Sequence, residues 1–369
     1  MNKLRFLFLI IAMVTITLMT ECTRNPVGNN PQLNLSGTFK PAGLAGITVN
    51  HFNLFKGSLY AATDSGLYQL PLSDLTSNSW SSLGLQEKKI IDVTFLLGDS
   101  ILAAKADSDF VSRETTLFLS PDHGKSWQPW QHNYGGDTGK YTYIGALAAA
   151  RKQSDTLIAL GDGMMKALSV NGGKKWNLAN GDHWDDWGGV PERVYIDPYY
   201  KGRIWAFGVD GLSQPYLFKS INYGISWTRF FSIEGPEAVC YDIATNPYNK
   251  EAILAGLSGT VLEALQIRKS VDGGQTWKVV YTGEGIYALA QSPKDGRIVY
   301  ASGLYMNNSE PLFFAASNNF GNTWQTVADT TSTAPTGIHT NDLVAATVNG
   351  NEILFFGTNK GVYEYAFSK

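Results

Sequence analysis

Two cysteines in 369 residues cannot build a disulfide framework. Charge is scarce as well. Only 17% of residues are charged against 44% hydrophobic, a balance that excludes a disordered chain. The net charge is −3, with no basic run and no stripe mixing basic and aromatic residues, so nucleic acid is not an expected partner. Histidine is sparse and scattered, at His51, His123, His132, His183 and His339. The sequence has no His-Glu-x-x-His, Cys-x-x-Cys, Gly-x-Ser-x-Gly or phosphate-binding glycine loop. No metal and no cofactor are therefore expected. What the chain has in quantity is Gly 38, Tyr 18, Phe 18 and Trp 10, the composition of many strands joined by tight turns. Its length suits one all-β barrel or propeller.

The first 22 residues stand apart. Lys3 and Arg5 precede a nearly unbroken apolar stretch from Phe6 to Met19. As a helix those residues rise only about 21 Å, too little to cross a bilayer comfortably, so the pattern is that of a signal peptide. Leu18-Met19-Thr20-Glu21-Cys22 resembles a bacterial lipoprotein box, which implies that Cys22 becomes the lipidated first residue; Glu21 departs from the small residue usual there. Residues 1–22 thus read as a lipoprotein-type signal peptide with Cys22 kept as the first mature residue, and 23–32 as a flexible tether. An exported chain held in the cell envelope by lipid alone, and monomeric, is the expectation. Cys240 lies in the apolar run Ala238-Val239-Cys240-Tyr241 and reads as a core residue.

Self-similarity then decides the fold. Five windows fit Ser-x-Asp/Asn-x-Gly-x-x-Trp: Ser120 to Trp127 with Asp122, Ser169 to Trp176 with Asn171, Ser220 to Trp227 with Asn222, Ser270 to Trp277 with Asp272, and Ser317 to Trp324 with Asn319. Successive serines stand 49, 51, 50 and 47 residues apart. A further step back reaches Ser73, and Ser73 to Trp80 is a degenerate sixth copy. In each window the Asp or Asn can bond backbone N–H groups of a tight turn, Gly supplies a positive φ, and Trp opens the outgoing strand. Leu59 to Tyr68 reads as two apolar strands joined at Asp64-Ser65-Gly66, and Leu354 to Tyr363 repeats it with no window following. That last unit lacks an outer strand, while residues 32–40 are surplus at the other end. They are predicted to pair with residues 362–367 and close the ring. The expectation is a single all-β, seven-bladed propeller over residues 33–369.

These windows resemble the BNR or Asp-box repeat family, and the resemblance covers the chain from about residue 46 onward. That family includes sialidases, xyloglucanase-type glycosidases, sortilin-type receptors and photosystem II stability/assembly factors; the unit pattern is most similar to the last two. The sialidase resemblance implies an early Arg-Ile-Pro, whereas Arg203-Ile204 is followed by Trp205 and Arg297-Ile298 by Val299, both expected inside strands. Xyloglucanase-type enzymes carry an aspartate in a turn like that of Asp64, but on two propellers facing a cleft; here Asp64 reads as a turn residue.

A ligand is sought on the face opposite the windows, where loops run from each outer strand to the next inner strand. Two such loops are rich in aromatics: 128–143, with Trp130, His132, Tyr134 and Tyr141, and 177–189, with Asp182, His183, Trp184, Asp185, Asp186 and Trp187. Asp210, Tyr305 and Glu310 could extend that surface. Such residues suit a protein partner or a glycan, and also suit simple stiffening of long loops. The expectation is a binding or assembly propeller without an evident catalytic site. The alternative is a glycoside hydrolase or other glycan-acting enzyme using Asp182, Asp185 and Asp186, which needs two carboxylates roughly 5 to 10 Å apart.

Overall fold

The computed structural model describes residues 30–73, 75, 79–106, 115–130, 144–150, 154–161, 165–178, 189–210, 212–230, 237–305, 311–329 and 337–368. The expected signal peptide with Cys22 and most of the expected tether lie outside them. Pro31–Lys369 is one compact unit, separate from Met1–Asn30.

The unit is all-β: seven four-stranded antiparallel sheets, with no α-helix among the described residues. Strand β1 (Gly37–Pro41) comes first. Sheet 1 is β2 (Val49–Phe55), β3 (Ser58–Thr63), β4 (Gly66–Pro71) and β5 (Ser81–Ser82). Sheet 2 is β6 (Ile90–Phe95), β7 (Ile101–Ala106), β8 (Thr115–Ser120) and β9 (Gln128–Trp130). Sheet 3 is β10 (Ala146–Ala149), β11 (Leu157–Gly161), β12 (Met165–Ser169) and β13 (Asn177–Leu178). Sheet 4 is β14 (Gly189–Ile196), β15 (Ile204–Asp210), β16 (Pro215–Ser220) and β17 (Thr228–Phe230). Sheet 5 is β18 (Val239–Thr245), β19 (Ile253–Ser258), β20 (Gln266–Ser270) and β21 (Lys278–Thr282). Sheet 6 is β22 (Gly285–Gln291), β23 (Val299–Leu304), β24 (Phe313–Ser317) and β25 (Gln325–Ala328). Sheet 7 is β26 (Thr340–Val348), β27 (Asn351–Thr358) and β28 (Gly361–Phe367), with β1 as its fourth strand. This is the arrangement of a seven-bladed propeller.

Each window occupies the turn between the third and fourth strands of a sheet. The serine hydroxyl accepts the glycine N–H at 2.7–2.9 Å and donates to the Asp or Asn oxygen, which also accepts an N–H four residues on. The glycines have φ between 78° and 99°, the left-handed region that needs no Cβ. In sheets 3, 4 and 5 the Trp indole N–H closes the turn on the glycine carbonyl. Trp80 of the degenerate copy donates instead to the Ala42 carbonyl, just beyond β1; Asp74 and residues 76–78 of that copy lie outside the described residues.

Second strands such as β3 and β19 are buried at every position. Their sequences (Leu59-Tyr60-Ala61-Ala62, Ile253-Leu254-Ala255) are unalternated because neighbouring sheets cover both faces. Fourth strands such as β21 are largely exposed. Apolar clusters run from sheet to sheet: Trp205 and Phe207 of sheet 4 meet Cys240, Ile243 and Ile253 of sheet 5. Cys240 is a buried free thiol, as its setting implied. Val49, Phe52 and Leu59 of sheet 1 likewise meet Phe355 and Val362 of sheet 7. A Cβ on Gly357 would come within 2.7 Å of Val49 at that seam.

The β1–β28 pairing runs antiparallel from Gly37 opposite Phe367 to Pro41 opposite Tyr363. The strand begins at Gly37 rather than at residue 32. Upstream, the Asn34 side chain accepts the Ser36 N–H in a local turn, and the pairing ends with the Ser368 N–H on the Ser36 carbonyl.

Candidate functional site

The inner strands β2, β6, β14, β18, β22 and β26 line the central channel, and each carries a β-bulge near its start. The skipped residues are Asn50, Ile91, Glu192, Tyr241, Tyr287 and Asn341. A bulge breaks the alternation of side chains and re-aims the extra one. All six, with Gly145 of sheet 3, line one cavity of about 290 Å³ on the face away from the windows. Lys89 stands at its edge. Every sheet thus contributes to one vestibule.

In five of the six bulged strands the residue after the bulge is ionisable, the exception being Ala288 in sheet 6. In sheets 2, 5 and 7 it is an aspartate that staples two sheets. Asp92 accepts the Val93 N–H of its own strand at 2.7 Å and the Leu147 N–H of sheet 3 at 2.8 Å. Asp242 does the same with Ile243 and Leu289 of sheet 6. Asp342 bonds Leu343 and, across the seam, Phe52 of sheet 1. In sheets 1 and 4 the same position holds His51 and Arg193. Arg193 reaches Asp342 at 2.7 Å and the Asn341 carbonyl at 2.8 Å, and lies 3.6 Å from Asp242. His51 Nδ1 sits 2.8 Å from Asp342, and its Nε2 3.7 Å from Asp92. The cluster divides the channel. Beyond it lies a second cavity of about 270 Å³, walled by Phe55, Phe95, Leu147, Val194 and Ile196.

Burial and charge act in opposition here. Burial alone would raise Asp342, but Arg193 and His51 outweigh it and hold the carboxyl far below its usual range. Burial would lower His51, yet Asp92 and Asp342 together keep it raised. Asp242 is pushed by burial up to about 6, with Arg193 and the Leu289 amide offsetting only part. Glu192 is pushed by burial up to about 7, with only Arg193 countering. It is also the one bulge residue with a charge. Among the described residues no donor bonds its carboxylate, and its charge raises the phenols of Tyr241 and Tyr287 beyond the effect of their burial. Those rings are 4.4 Å apart, and Tyr287 meets His339 edge-on at 6.1 Å.

The residues singled out from sequence divide into three groups. His132, Tyr134, Tyr141, Asp182, His183, Trp184, Asp185, Asp186, Trp187 and Glu310 lie outside the described residues; the first nine belong to the connections leading into β10 and β14, which bring Gly145 and Glu192 to the vestibule. Asp210 and Tyr305 end β15 and follow β23 on the vestibule face. Asp210 is engaged in its own turn, accepting the Leu212 and Gln214 N–H groups. Tyr305 packs on Phe313 at 4.4 Å. Trp130 is used between sheets: its indole N–H donates to the Gly172 carbonyl in the window of sheet 3, under Lys174. Arg203 and Arg297 precede β15 and β23 rather than lying within them. Each pairs with an aspartate of its own loop, Asp197 and Asp295, which tightens that loop and leaves neither side chain for a ligand. Asp64 lies in the β3–β4 turn, where Thr63 donates to the Gly66 carbonyl. Sequence reading missed the bulge ring. Its signal was an aspartate at one fixed place in otherwise apolar strands: Ile91-Asp92-Val93, Tyr241-Asp242-Ile243 and Asn341-Asp342-Leu343.

No protein-family model matches the chain, and no curated protein matches it by sequence. Solved structures do match. A GH74 enzyme from Niastella koreensis is 17% identical with a TM-score of 0.64, covering 89% of this chain and 53% of that one. The GH74 xyloglucanase from Xanthomonas campestris is 16% identical with a TM-score of 0.62, covering 89% and 53%. YCF48 bound to D1 peptide is 13% identical with a TM-score of 0.64, covering 92% of this chain and 100% of that one. The chain spans about half the length of the GH74 structures and the whole of the YCF48 structure. At these identities the likeness shows the propeller fold.

Proposed function

We propose that this chain is a binding or assembly propeller of the Asp-box repeat kind, exported and held in the cell envelope through Cys22. It recognises a peptide segment of a protein partner at the bulge-lined vestibule. The observation that carries this reading is the vestibule itself: a cavity of about 290 Å³, mixed polar and apolar in its lining, to which every sheet contributes. That size is at the lower edge of small-molecule sites and suits one or two side chains better than an oligosaccharide. The three channel aspartates each hold two backbone amides, so they serve as staples and are poorly placed for general acid–base work. The YCF48 structure supports the reading, since a chain of the same extent and fold is bound to a peptide.

The test is to probe the purified full chain on a peptide array and a glycan array in parallel. Peptide binding that weakens in Tyr287→Ala is the expected result. Sugar binding or release of sugar products, with no peptide retained, would overturn it. The GH74 likeness gives the second reading its weight: a glycan-acting enzyme built on Asp182, Asp185 and Asp186. That reading requires Asp186→Ala to abolish hydrolysis of a glycan the wild type cleaves.

A further inference from the structure

We infer that the vestibule receives a single basic side chain, lysine or arginine, of the partner peptide, with Glu192 as its counter-charge and Tyr241 and Tyr287 as its aromatic wall. This deepens the peptide-binding reading and rests on it.

Three observations converge. The first is the state of the carboxylates. Asp92, Asp242 and Asp342 are satisfied by backbone amides, whereas Glu192, aimed into the cavity by its bulge, meets no donor among the described residues. A half-buried carboxylate without a donor is costly, and a ligand cation is the group that relieves it.

The second is the charge balance. Four carboxylates (Asp92, Glu192, Asp242, Asp342) face Arg193 and His51, and the Arg193 guanidinium is already occupied by Asp342 and the Asn341 carbonyl. No fixed positive charge is left over to attract an anion at the floor of the cavity. Lys89, on sheet 2, is exposed at the edge.

The third is the pair of phenol rings 4.4 Å apart beside Glu192, which offers π faces to a cation and apolar contact to the methylene stem behind it. A volume of about 290 Å³ admits a side chain of that length, and the single Glu192 carboxylate gives one such cation its counter-charge.

The groups around Glu192 make the pH dependence readable. Arg193 adjoins it on β14; Tyr241 faces it from β18, with Cys240 and Asp242 buried on either side of it in that strand, and Tyr287 from β22; His51, Asp92 and Lys89 lie across the cavity. Glu192 sits at about 7 in the free protein. A bound cation stabilises the ionised form, so binding weakens as pH falls through 7. If only that form binds, the loss at pH 6 is about tenfold.

The experiment uses the full chain and a library of capped octapeptides carrying Lys, Arg, norleucine or Glu at the central position. Binding is measured at pH 8 and pH 6 for wild type and Glu192→Gln, with melting temperature as the folding control. The expected result is binding of Lys and Arg peptides at pH 8, at least tenfold tighter than norleucine or Glu peptides. That preference weakens at pH 6 in wild type and is lost at both pH values in Glu192→Gln. Binding that ignores the central residue, or a preference for Lys and Arg unchanged in a folded Glu192→Gln protein, would overturn the inference while leaving peptide recognition standing. No binding by any peptide would overturn both.

Discussion

Two of the five windows use aspartate and three use asparagine, and the difference has a measurable consequence. Asp122 and Asp272 each accept a hydroxyl and N–H groups, and the hydroxyls of Ser126 and Thr276 hold both carboxyls down at about 2. In the Asn222 and Asn319 windows the hydroxyls of Ser226 and Thr323 accept from the amide instead, so a rotated hydroxyl accommodates either residue. The charge-dependent part of the aspartate windows is present above the ordinary carboxyl range and lost as pH falls toward 2. Asp122→Asn/Asp272→Asn is therefore expected to flatten the fall in melting temperature between about pH 4 and pH 2. An unchanged acid limb would contradict it. The Arg193 position acts in the other sense. Arg193→Met strands Asp342, held ionised by that guanidinium, and is expected to cost about 3 kcal/mol in urea unfolding at pH 7. The windows were legible in the sequence because the bonds that join their Ser, Asp or Asn and Gly lie within eight consecutive residues. Arg193 was not, since its partners Asp342 and Asp242 sit far along the chain and only the channel brings them together.

At the scale of the element, β1 is the most exposed to test. Phe39, almost fully buried, meets the rings of Phe314, Phe356 and Tyr365 at 6.0, 5.4 and 4.9 Å, and the Tyr365 hydroxyl donates to the Leu35 carbonyl. Phe39→Ala is expected to lower stability by about 3–5 kcal/mol, and deletion of residues 31–41 to lower the melting temperature further. A deletion variant that melts like wild type would remove β1 from any role in holding the ring. The missing outer strand of sheet 7 could be counted from the repeats, which is why its replacement by N-terminal residues was foreseeable. The bulges could not be counted that way. A one-residue irregularity is set by pairing partners, not by composition, and it decides whether Tyr241 or Cys240 faces the channel.

At the scale of the whole molecule, the seam between sheets 7 and 1 is built like those between sheets 2 and 3 and between sheets 5 and 6. Asp342 to Phe52 repeats what Asp242 to Leu289 does between sheets 5 and 6. The ends also meet: the Ser368 N–H donates to the Ser36 carbonyl at 2.7 Å, and Asn34 to the Ser368 carbonyl. A circular permutant that joins these ends and opens at Gly283–Glu284 should therefore melt in one transition within about 5 °C of wild type. Two calorimetric transitions would show that the seams are not equivalent.

The first residues of the unit mark the face on which the chain enters the ring. The Asn318 side chain donates to the Pro31 carbonyl, so the chain joins the ring beside the window turn of sheet 6, on the side opposite Glu192. A label placed on Asn318 therefore reports on the window face and stays clear of a ligand held at the bulges.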